Sequence, residues 1–150
     1  NNSEMIIQGC ISAEVPLVFI GNWSANNYGI NLRERYGNSP NILLHDPIYD
    51  QADLAKWRLG AVGYIHGHSV GGTNPSLVEA LFHTDRLASF DCTFNRTTMS
   101  GEGEYFKDAD SLATLLSGGL NPIQDVELLH LRDTYRWDRI AVQYRLLLSS

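Results

Sequence analysis

The chain has 150 residues, a length typical of one domain, and a domain of this size buries roughly 68–70% of its unfolded surface. The net charge of -6 argues against binding to nucleic-acid phosphates, so no nucleic-acid partner is expected. Without a run of about 18 apolar residues or a secretory leader pattern, the sequence predicts a cytoplasmic protein. Cys10 and Cys92 have no metal-ligand spacing and fit a reducing compartment, where both would be small core residues.

Short apolar runs alternate with helical patterns along the chain. In chain order we predict strand 16–21, helix 27–37, strand 41–45, helix 51–60, strand 61–66, helix 75–83, strand 86–91, helix 108–119, and one long or two broken helices over 121–148. Asp50 is the expected cap of the second helix, and Gly37, Gly60 and Gly119 are expected helix ends. The alternation predicts one α/β domain over residues 1–150, with a parallel sheet covered by helices on both faces.

The segment His66–Leu81, HGHSVGGTNPSLVEAL, follows the third predicted strand and enters a helix. Because ligands bind beyond the carboxyl ends of strands in open α/β sheets, this loop belongs to the binding edge. Gly71 and Gly72 allow close approach to a ligand, and the amides ahead of Pro75 favour an anion such as phosphate. Glu79, one turn further, is placed to accept hydrogen bonds from ribose hydroxyls. The alternative is a tight strand–helix turn with Glu79 on a solvated face.

Other polar side chains are expected near the same edge of the sheet. Arg96 follows the fourth strand and can meet phosphate, with a surface salt bridge as the equal alternative. Tyr49 can stack on a base. His66 and His68 share one face of a strand, where a third ligand would complete a zinc site. The sequence favours instead a neutral His68 that contacts phosphate or sugar, and a His66 satisfied at the strand end.

Several stretches together resemble one protein family. They are GNW, YGINLRERYGNSPNILLHDPIYD, LAKWRLGAVGYIHGHSVGGTNPSLVEAL, SFDCTFNR and YF, and the ending YRWDRIAVQYRLLL is similar to the family's final helix. These residues resemble the C-terminal, nucleotide-sugar-binding half of retaining GT-B glycosyltransferases, in the bacterial group with rhamnosyltransferases of surface polysaccharides. The resemblance covers nearly the whole chain. It implies a Rossmann-like, doubly wound parallel sheet that binds a nucleoside-diphosphate sugar, with dTDP-rhamnose as the expected donor.

The resemblance also implies roles for individual residues. Glu79 matches the second glutamate of the family's paired-glutamate motif, which binds the donor ribose, while Gly71 stands where the wider family has the first glutamate. Residues 72–74 match the segment whose amides hold the donor diphosphate, and residues 45–49 resemble the loop that frames the nucleobase. The expected catalytic residues are His68 and Glu79, and the expected donor-binding residues are His45, Asp46, Tyr49, Gly71, Gly72, Thr73, Asn74, Glu79 and Arg96.

The start of the chain departs from the family pattern. Residues 1–9 resemble the segment just after the family's first strand, whose end carries a glycine and a basic residue facing the donor phosphates. We therefore expect a piece of a longer protein, without its N-terminal acceptor-binding domain and without the first, central strand of this domain. Such a piece is expected to bind donor but to transfer nothing alone. Its partners would be that domain and the lipid-linked or polysaccharide acceptor that the domain binds. The same domain would make any peripheral contact with the inner face of the membrane.

The implied reaction is attack by an acceptor hydroxyl on the anomeric carbon of the donor, with configuration retained and a nucleoside diphosphate released. The amides of the glycine-rich loop would stabilise the leaving phosphate by about 3–4 kcal/mol per well-placed donor. The resemblance implies no metal or other cofactor. Two alternatives remain, because a fold alone does not decide function: an epimerase of the related type acting on nucleotide sugars, and a non-catalytic nucleotide-binding module.

Overall fold

The computed structural model describes residues 2–148, so Asn1 and the last two residues of the predicted domain lie outside the described residues. Within that range the chain forms eight helices and five strands. The helices are α1 Ser3–Ser12, α2 Asn27–Tyr36, α3 Gln51–Gly60, α4 Pro75–Leu81, α5 Thr93–Thr98, α6 Ala109–Gly118, α7 Asp125–Thr134 and α8 Trp137–Leu148. The strands are β1 Leu17–Ile20, β2 Ile42–His45, β3 Tyr64–His66, β4 Leu87–Phe90 and β5 Glu104–Phe106.

Local capping chemistry places several of these helices. The Asp50 carboxylate accepts a hydrogen bond from the Asp53 amide at the start of α3, as predicted. Asp108 and Ser111 form a reciprocal capping box that starts α6, and Gly119 ends that helix with a φ of 75°. Pro75 occupies the first turn of α4, where its missing amide hydrogen costs no helical bond.

Some boundaries differ from the prediction. The third strand begins at Tyr64, three residues later than expected, and α4 ends at Leu81, two residues earlier. The final segment 121–148 contains two helices, α7 and α8, which confirms the broken alternative. The sequence did not indicate α1, α5 or β5. The last two are short elements of six and three residues.

All strand pairs are parallel, and they form two small sheets. One sheet has the order β1–β2, with Leu17 opposite Ile42 and Ile20 opposite His45. The other has the order β3–β4–β5, with Ile65 opposite Ala88 and Phe90 opposite Phe106. The α/β class and the parallel pairing are therefore as predicted, whereas the single continuous sheet is divided between β1 and β3 in the described chain.

One hydrophobic core connects the two sheets. Its buried members come from α1, α2 and α6 and from both sheets: Ile6, Ile7, Cys10, Trp23, Leu32, Ile42, Leu44, Ala88, Phe106, Leu112 and Leu120. Cys10 is fully buried, as predicted for a core residue, and burial raises the pKa of its thiol to about 11. Cys92 is only half-buried, because it precedes α5 at the end of a strand, so its assignment to the core was wrong.

A second core lies between α4, α7 and β4. Its buried residues are Leu77, Ala80, Leu81, Leu87, Met99, Ile123, Leu128 and Leu131. The Arg132 guanidinium, which donates to the Leu81 carbonyl at 2.6 Å, ties α7 to the end of α4. None of the helices within residues 2–148 combines the length and the apolar character needed to cross a membrane.

Candidate functional site

A cavity of about 410 Å³ lies at the carboxyl end of β2, lined by His45, Ile48, Asp53, Lys56 and Trp57. The last three belong to one face of α3, because residues at i, i+3 and i+4 are neighbours on a helix. Asp53 and Lys56 form an ion pair across 2.6 Å at the rim. The cavity is therefore bounded by the loop after β2 on one side and by α3 on the other.

His45 and Trp57 form the aromatic wall of this cavity. Their ring centroids are 5.7 Å apart with an edge-to-face angle of 61°. His45 Nδ1 lies 2.6 Å from the Asp46 carbonyl oxygen, which can only accept, so Nδ1 carries the proton in the neutral ring. Nε2 is then an acceptor. The Trp23 indole donates to the His45 carbonyl at 2.8 Å and fixes the end of the strand.

Asp46 and Tyr49, the other two residues of the predicted base loop, do not line the cavity. Asp46 forms a two-pronged ion pair with Arg33 of α2, at 2.7 and 3.1 Å. The bonds from this guanidinium lower the pKa of the Asp46 carboxyl. Tyr49 is 83% exposed. In this structure the aromatic side chain available for stacking is Trp57 rather than Tyr49.

The glycine-rich loop between β3 and α4 forms a second group. Gly71 has a φ of 122°, a conformation that side chains rarely adopt. A Cβ added at Gly71 or Gly72 would meet no atom within 4 Å, so the loop faces open space. The Asn74 side chain caps α4 by accepting a hydrogen bond from the Ser76 amide at 3.0 Å. Thr73 is exposed. The predicted diphosphate segment thus presents its backbone to solvent.

Glu79 lies on α4 with its side chain 52% exposed. Its carboxylate forms an ion pair with Arg58 across 2.5 Å. Arg58 directly follows Trp57 in α3, so this ion pair joins the predicted ribose-binding carboxylate to the helix that also borders the cavity at the end of β2. Tyr64 lies beneath the pair, and burial raises the pKa of its phenol.

The two histidines of the motif stack on each other at the end of β3. The rings of His66 and His68 are 4.8 Å apart at an angle of 20°. His66 is 1% exposed, its Nδ1 lies 3.5 Å from the Tyr64 hydroxyl, and its Nε2 has no hydrogen-bond partner among the described residues. His66 was expected to have both ring nitrogens hydrogen-bonded at the strand end, but in the structure its Nε2 is not. Burial lowers the pKa of His66 to about 4 and also lowers that of His68, which favours two neutral rings.

Arg96 takes the alternative role of a surface salt bridge. Its guanidinium lies 2.5 Å from the Asp91 carboxylate and 4.1 Å from the centroid of the Tyr105 ring. Hydrogen bonding to Arg96 lowers the pKa of Asp91. The neighbouring Asn95 amide donates to the carbonyls of His68 and Phe90 at 2.8 Å each, so it anchors the start of the glycine-rich loop.

The structure places His45 in the cavity at the end of β2 and joins Glu79 to α3 through Arg58. It adds three cavity residues that sequence reasoning missed, Asp53, Lys56 and Trp57. Ile48 lies in the loop 45–49 that was expected to frame the nucleobase. Trp57 was interpreted as packing, and Asp53 and Lys56 were not considered. Their helical spacing beside a strand end was a usable signal, because such a helix face borders the binding edge of a parallel sheet. No group of three or more metal-ligating side chains exists among residues 2–148.

The fold and these contacts define an α/β protein with a cavity at the carboxyl end of β2, one of its parallel strands. No family model matches the chain, and no curated protein is significantly similar to it in sequence.

Proposed function

We propose that this chain is the donor-binding domain of a retaining glycosyltransferase, built as a doubly wound GT-B domain. The observation that carries the proposal is that one helix, α3, supplies both the Trp57 wall of the cavity of about 410 Å³ and Arg58, the ion-pair partner of the Glu79 carboxylate. Small-molecule sites typically have volumes of about 300–1,000 Å³. The combination of an aromatic wall, a carboxylate and an exposed glycine-rich loop matches the three parts of a nucleoside diphosphate.

Each part of the donor has a chemical counterpart. The base would stack on Trp57 and donate an N–H to His45 Nε2, and base–aromatic stacking contributes about 1–3 kcal/mol. The ribose hydroxyls of a UDP or GDP donor, or the single 3′-hydroxyl of the deoxyribose in dTDP, would donate to Glu79 in place of, or alongside, Arg58. The diphosphate would accept hydrogen bonds from the amides of residues 71–74, in a loop where an added Cβ at Gly71 or Gly72 would meet no atom within 4 Å.

The sugar would then lie near His68, whose neutral ring can hydrogen-bond a sugar hydroxyl or a phosphate oxygen. The acceptor hydroxyl would attack the anomeric carbon as the bond from that carbon to the diphosphate oxygen breaks, and the leaving diphosphate would take up the hydroxyl proton. Charge grows on the leaving diphosphate as this bond lengthens. Preorganised amides of the glycine-rich loop would stabilise that charge without reorganisation. The resemblance makes dTDP-rhamnose the proposed donor and a polysaccharide or lipid-linked glycan the proposed acceptor, which a separate domain would bind.

Binding is tested by an amide NMR titration of the chain with dTDP, UDP and GDP. We expect shifts concentrated at residues 45–57 and 71–79, with the nucleotide of tightest binding identifying the base. Dispersed spectra that respond to none of the three nucleotides would contradict the proposal. Trp57→Ala should abolish the shifts at the cavity, whereas the matched control Trp137→Ala, at an exposed position on α8, should retain them.

Transfer is tested separately, with the donor domain joined to an acceptor-binding domain and supplied with dTDP-rhamnose. A glycosylated product that forms only when acceptor is present supports a transferase. Conversion of the donor sugar without acceptor would instead support an epimerase, and binding without turnover a nucleotide-binding module.

A further inference from the structure

His66, the last residue of β3, carries a buried ring nitrogen that the proposed base, ribose and phosphate contacts do not use. The residue is 1% exposed, and its Nε2 has no hydrogen-bond partner among residues 2–148. Buried polar side-chain atoms are hydrogen-bonded in the large majority of cases, so an unpartnered one needs a physical explanation. The residue stands directly before the glycine-rich loop, on the strand end where a ligand would bind.

A series of hydrogen-bonding groups fixes which His66 nitrogen carries the proton. Asn74 Oδ1 accepts hydrogen bonds from the amide and from the hydroxyl of Ser76, at 3.0 and 2.7 Å. The Ser76 proton is therefore engaged, and toward the neighbouring Tyr64 hydroxyl Ser76 acts as an acceptor. Tyr64 donates to Ser76, so its oxygen accepts from His66 Nδ1, which lies 3.5 Å away. Nδ1 then carries the proton, and Nε2 is an acceptor.

The surroundings of His66 keep its ring neutral. The ring is stacked between those of Tyr64 and His68, with centroids 6.0 and 4.8 Å away. Burial, together with the neighbouring His68, lowers the pKa of His66 to about 4. At neutral pH Nε2 therefore has no proton to give to a phosphate oxygen, and it takes a hydrogen bond only from a donor such as a hydroxyl.

The His68 ring covers His66 on the side of the glycine-rich loop. The backbone of His68 is held in place, because its carbonyl accepts a hydrogen bond from the Asn95 amide at 2.8 Å. Its side chain is less buried than that of His66 and packs on it by stacking. A rotation of the His68 side chain would therefore uncover the His66 ring without moving the backbone.

We propose that His66 is a sugar-binding residue of the donor site, and that a hydroxyl of the donor sugar donates a hydrogen bond to its Nε2 once the His68 ring turns out of the stack. The inference rests on the proposed function, which puts the sugar near His68. Because the diphosphate offers only acceptors, this nitrogen selects the sugar and not the phosphate. Tyr64 is then a positioning residue, since its hydroxyl holds the His66 tautomer without touching the sugar.

The test measures the nitrogen chemical shifts of the histidine rings in the 15N-labelled chain at neutral pH, alone, with dTDP and with dTDP-rhamnose. The His66 signals are assigned by their loss in His66→Gln. We expect a protonated Nδ1 and an unprotonated Nε2 in the chain alone. The Nε2 signal should keep its position with dTDP and move upfield with dTDP-rhamnose, because a hydrogen bond to an unprotonated ring nitrogen has that effect.

Affinities measured by isothermal titration calorimetry separate the sugar contact from the rest of the donor. The side chain in His66→Asn is too short to place an acceptor where Nε2 lies. This variant should weaken dTDP-rhamnose binding about three- to tenfold and leave dTDP binding unchanged. His66→Gln, whose longer amide reaches that position, should retain most of the affinity. Tyr64→Phe should also weaken only the sugar-bearing ligand, since the His66 ring loses the partner that fixes its tautomer.

An Nε2 signal that responds equally to both ligands, or to neither while dTDP binds, would overturn the inference and assign the nitrogen to an ordered water. Equal losses for dTDP and dTDP-rhamnose in His66→Asn would also overturn it, since His66 would then act on the fold. A protonated Nε2 in the chain alone would contradict the acceptor role. Absence of binding by dTDP, UDP and GDP would instead contradict the proposed function, and the inference with it.

Discussion

The two sheets contain similar apolar strands but bury them differently. In β4, Leu87 and Ala88 are fully buried, because the strand has a neighbour on each edge and hydrophobic cores on both faces. In the β1–β2 sheet, Val18 and its register partner Leu43 are 41% and 46% exposed. No residue of α3, the helix that follows β2, is buried. Composition therefore predicts a strand, whereas its neighbours decide how much that strand stabilises the fold.

The site residues are divided between the same two halves. The cavity belongs to the β1–β2 half, through His45 and α3, and the glycine-rich loop and Glu79 belong to the β3–β5 half. The ion pair between Arg58 and Glu79 is the contact that joins them. The less buried half thus carries the proposed base subsite, and the better packed half carries the proposed phosphate and ribose groups.

The largest expected difference between the halves is in core stability. Leu87→Ala should lower the free energy of unfolding by about 2–5 kcal/mol, because it leaves a cavity between buried side chains. The same substitution at Leu43, which is nearly half exposed, should cost less than about 1.5 kcal/mol. Urea unfolding of both variants measures this. Equal losses would show that the two sheets are packed alike and would refute the comparison.

His66 should make the stability of the β3–β5 half depend on pH. Its folded pKa of about 4 lies below the ordinary value of 6.5, so the unfolded chain binds the proton first as pH falls. Stability from this residue is present above about pH 6.5 and is lost between pH 6.5 and 4, by up to about 3 kcal/mol. In His66→Gln the slope of unfolding free energy against pH should decrease in that window. An unchanged slope would assign the pH dependence to other groups.

Trp57→Ala should weaken binding of the preferred nucleoside diphosphate about tenfold or more, because base stacking contributes about 1–3 kcal/mol. Isothermal titration calorimetry measures the affinity. Trp137→Ala is the control, since that side chain is exposed on α8 and distant in sequence from the cavity. Similar losses of affinity in both variants would show that the base does not bind at the β1–β2 half.

Glu79→Gln should have a smaller effect, a loss of about three- to tenfold in affinity, because the hydrogen bonds from the ribose lose a charged acceptor. A 2′,3′-dideoxynucleoside diphosphate, which lacks these hydroxyls, should bind both forms equally. Arg58→Gln leaves the carboxylate in place and should retain affinity. An equal loss for the dideoxy ligand would show that Glu79 acts on the fold rather than on the ribose.

The positions of the capped helices followed from local sequence, because their determinants lie within a few residues, whereas α1 and α5, which have no side-chain cap, were not predicted. The Asp50 and Asp108 carboxylates and the Gly119 terminus were predictable from capping chemistry alone. β5 was not, since a strand of three residues carries too short a pattern, and it follows Gly101 and Gly103 in positive-φ conformations that only the structure reveals.

The candidate site was predictable only where its residues lie close together in the sequence. The glycine-rich loop and Glu79 form one contiguous motif, so the sequence places them together. The division into two sheets depends on pairing between distant strands, and the Arg58–Glu79 contact joins residues 21 positions apart. Such non-local contacts leave no periodic signal. The choice of Trp57 over Tyr49 as the cavity wall likewise depends on how α3 lies against the loop after β2.

The most direct test of the proposed donor site is the set of intermolecular nuclear Overhauser effects in the complex with the tightest-binding nucleoside diphosphate. We predict contacts from the base protons to the Trp57 ring and from the ribose protons to the side chain of Glu79, in the same complex. Contacts from the base to any other surface, or a ribose that touches Trp57 while Glu79 stays paired with Arg58 alone, would contradict this site.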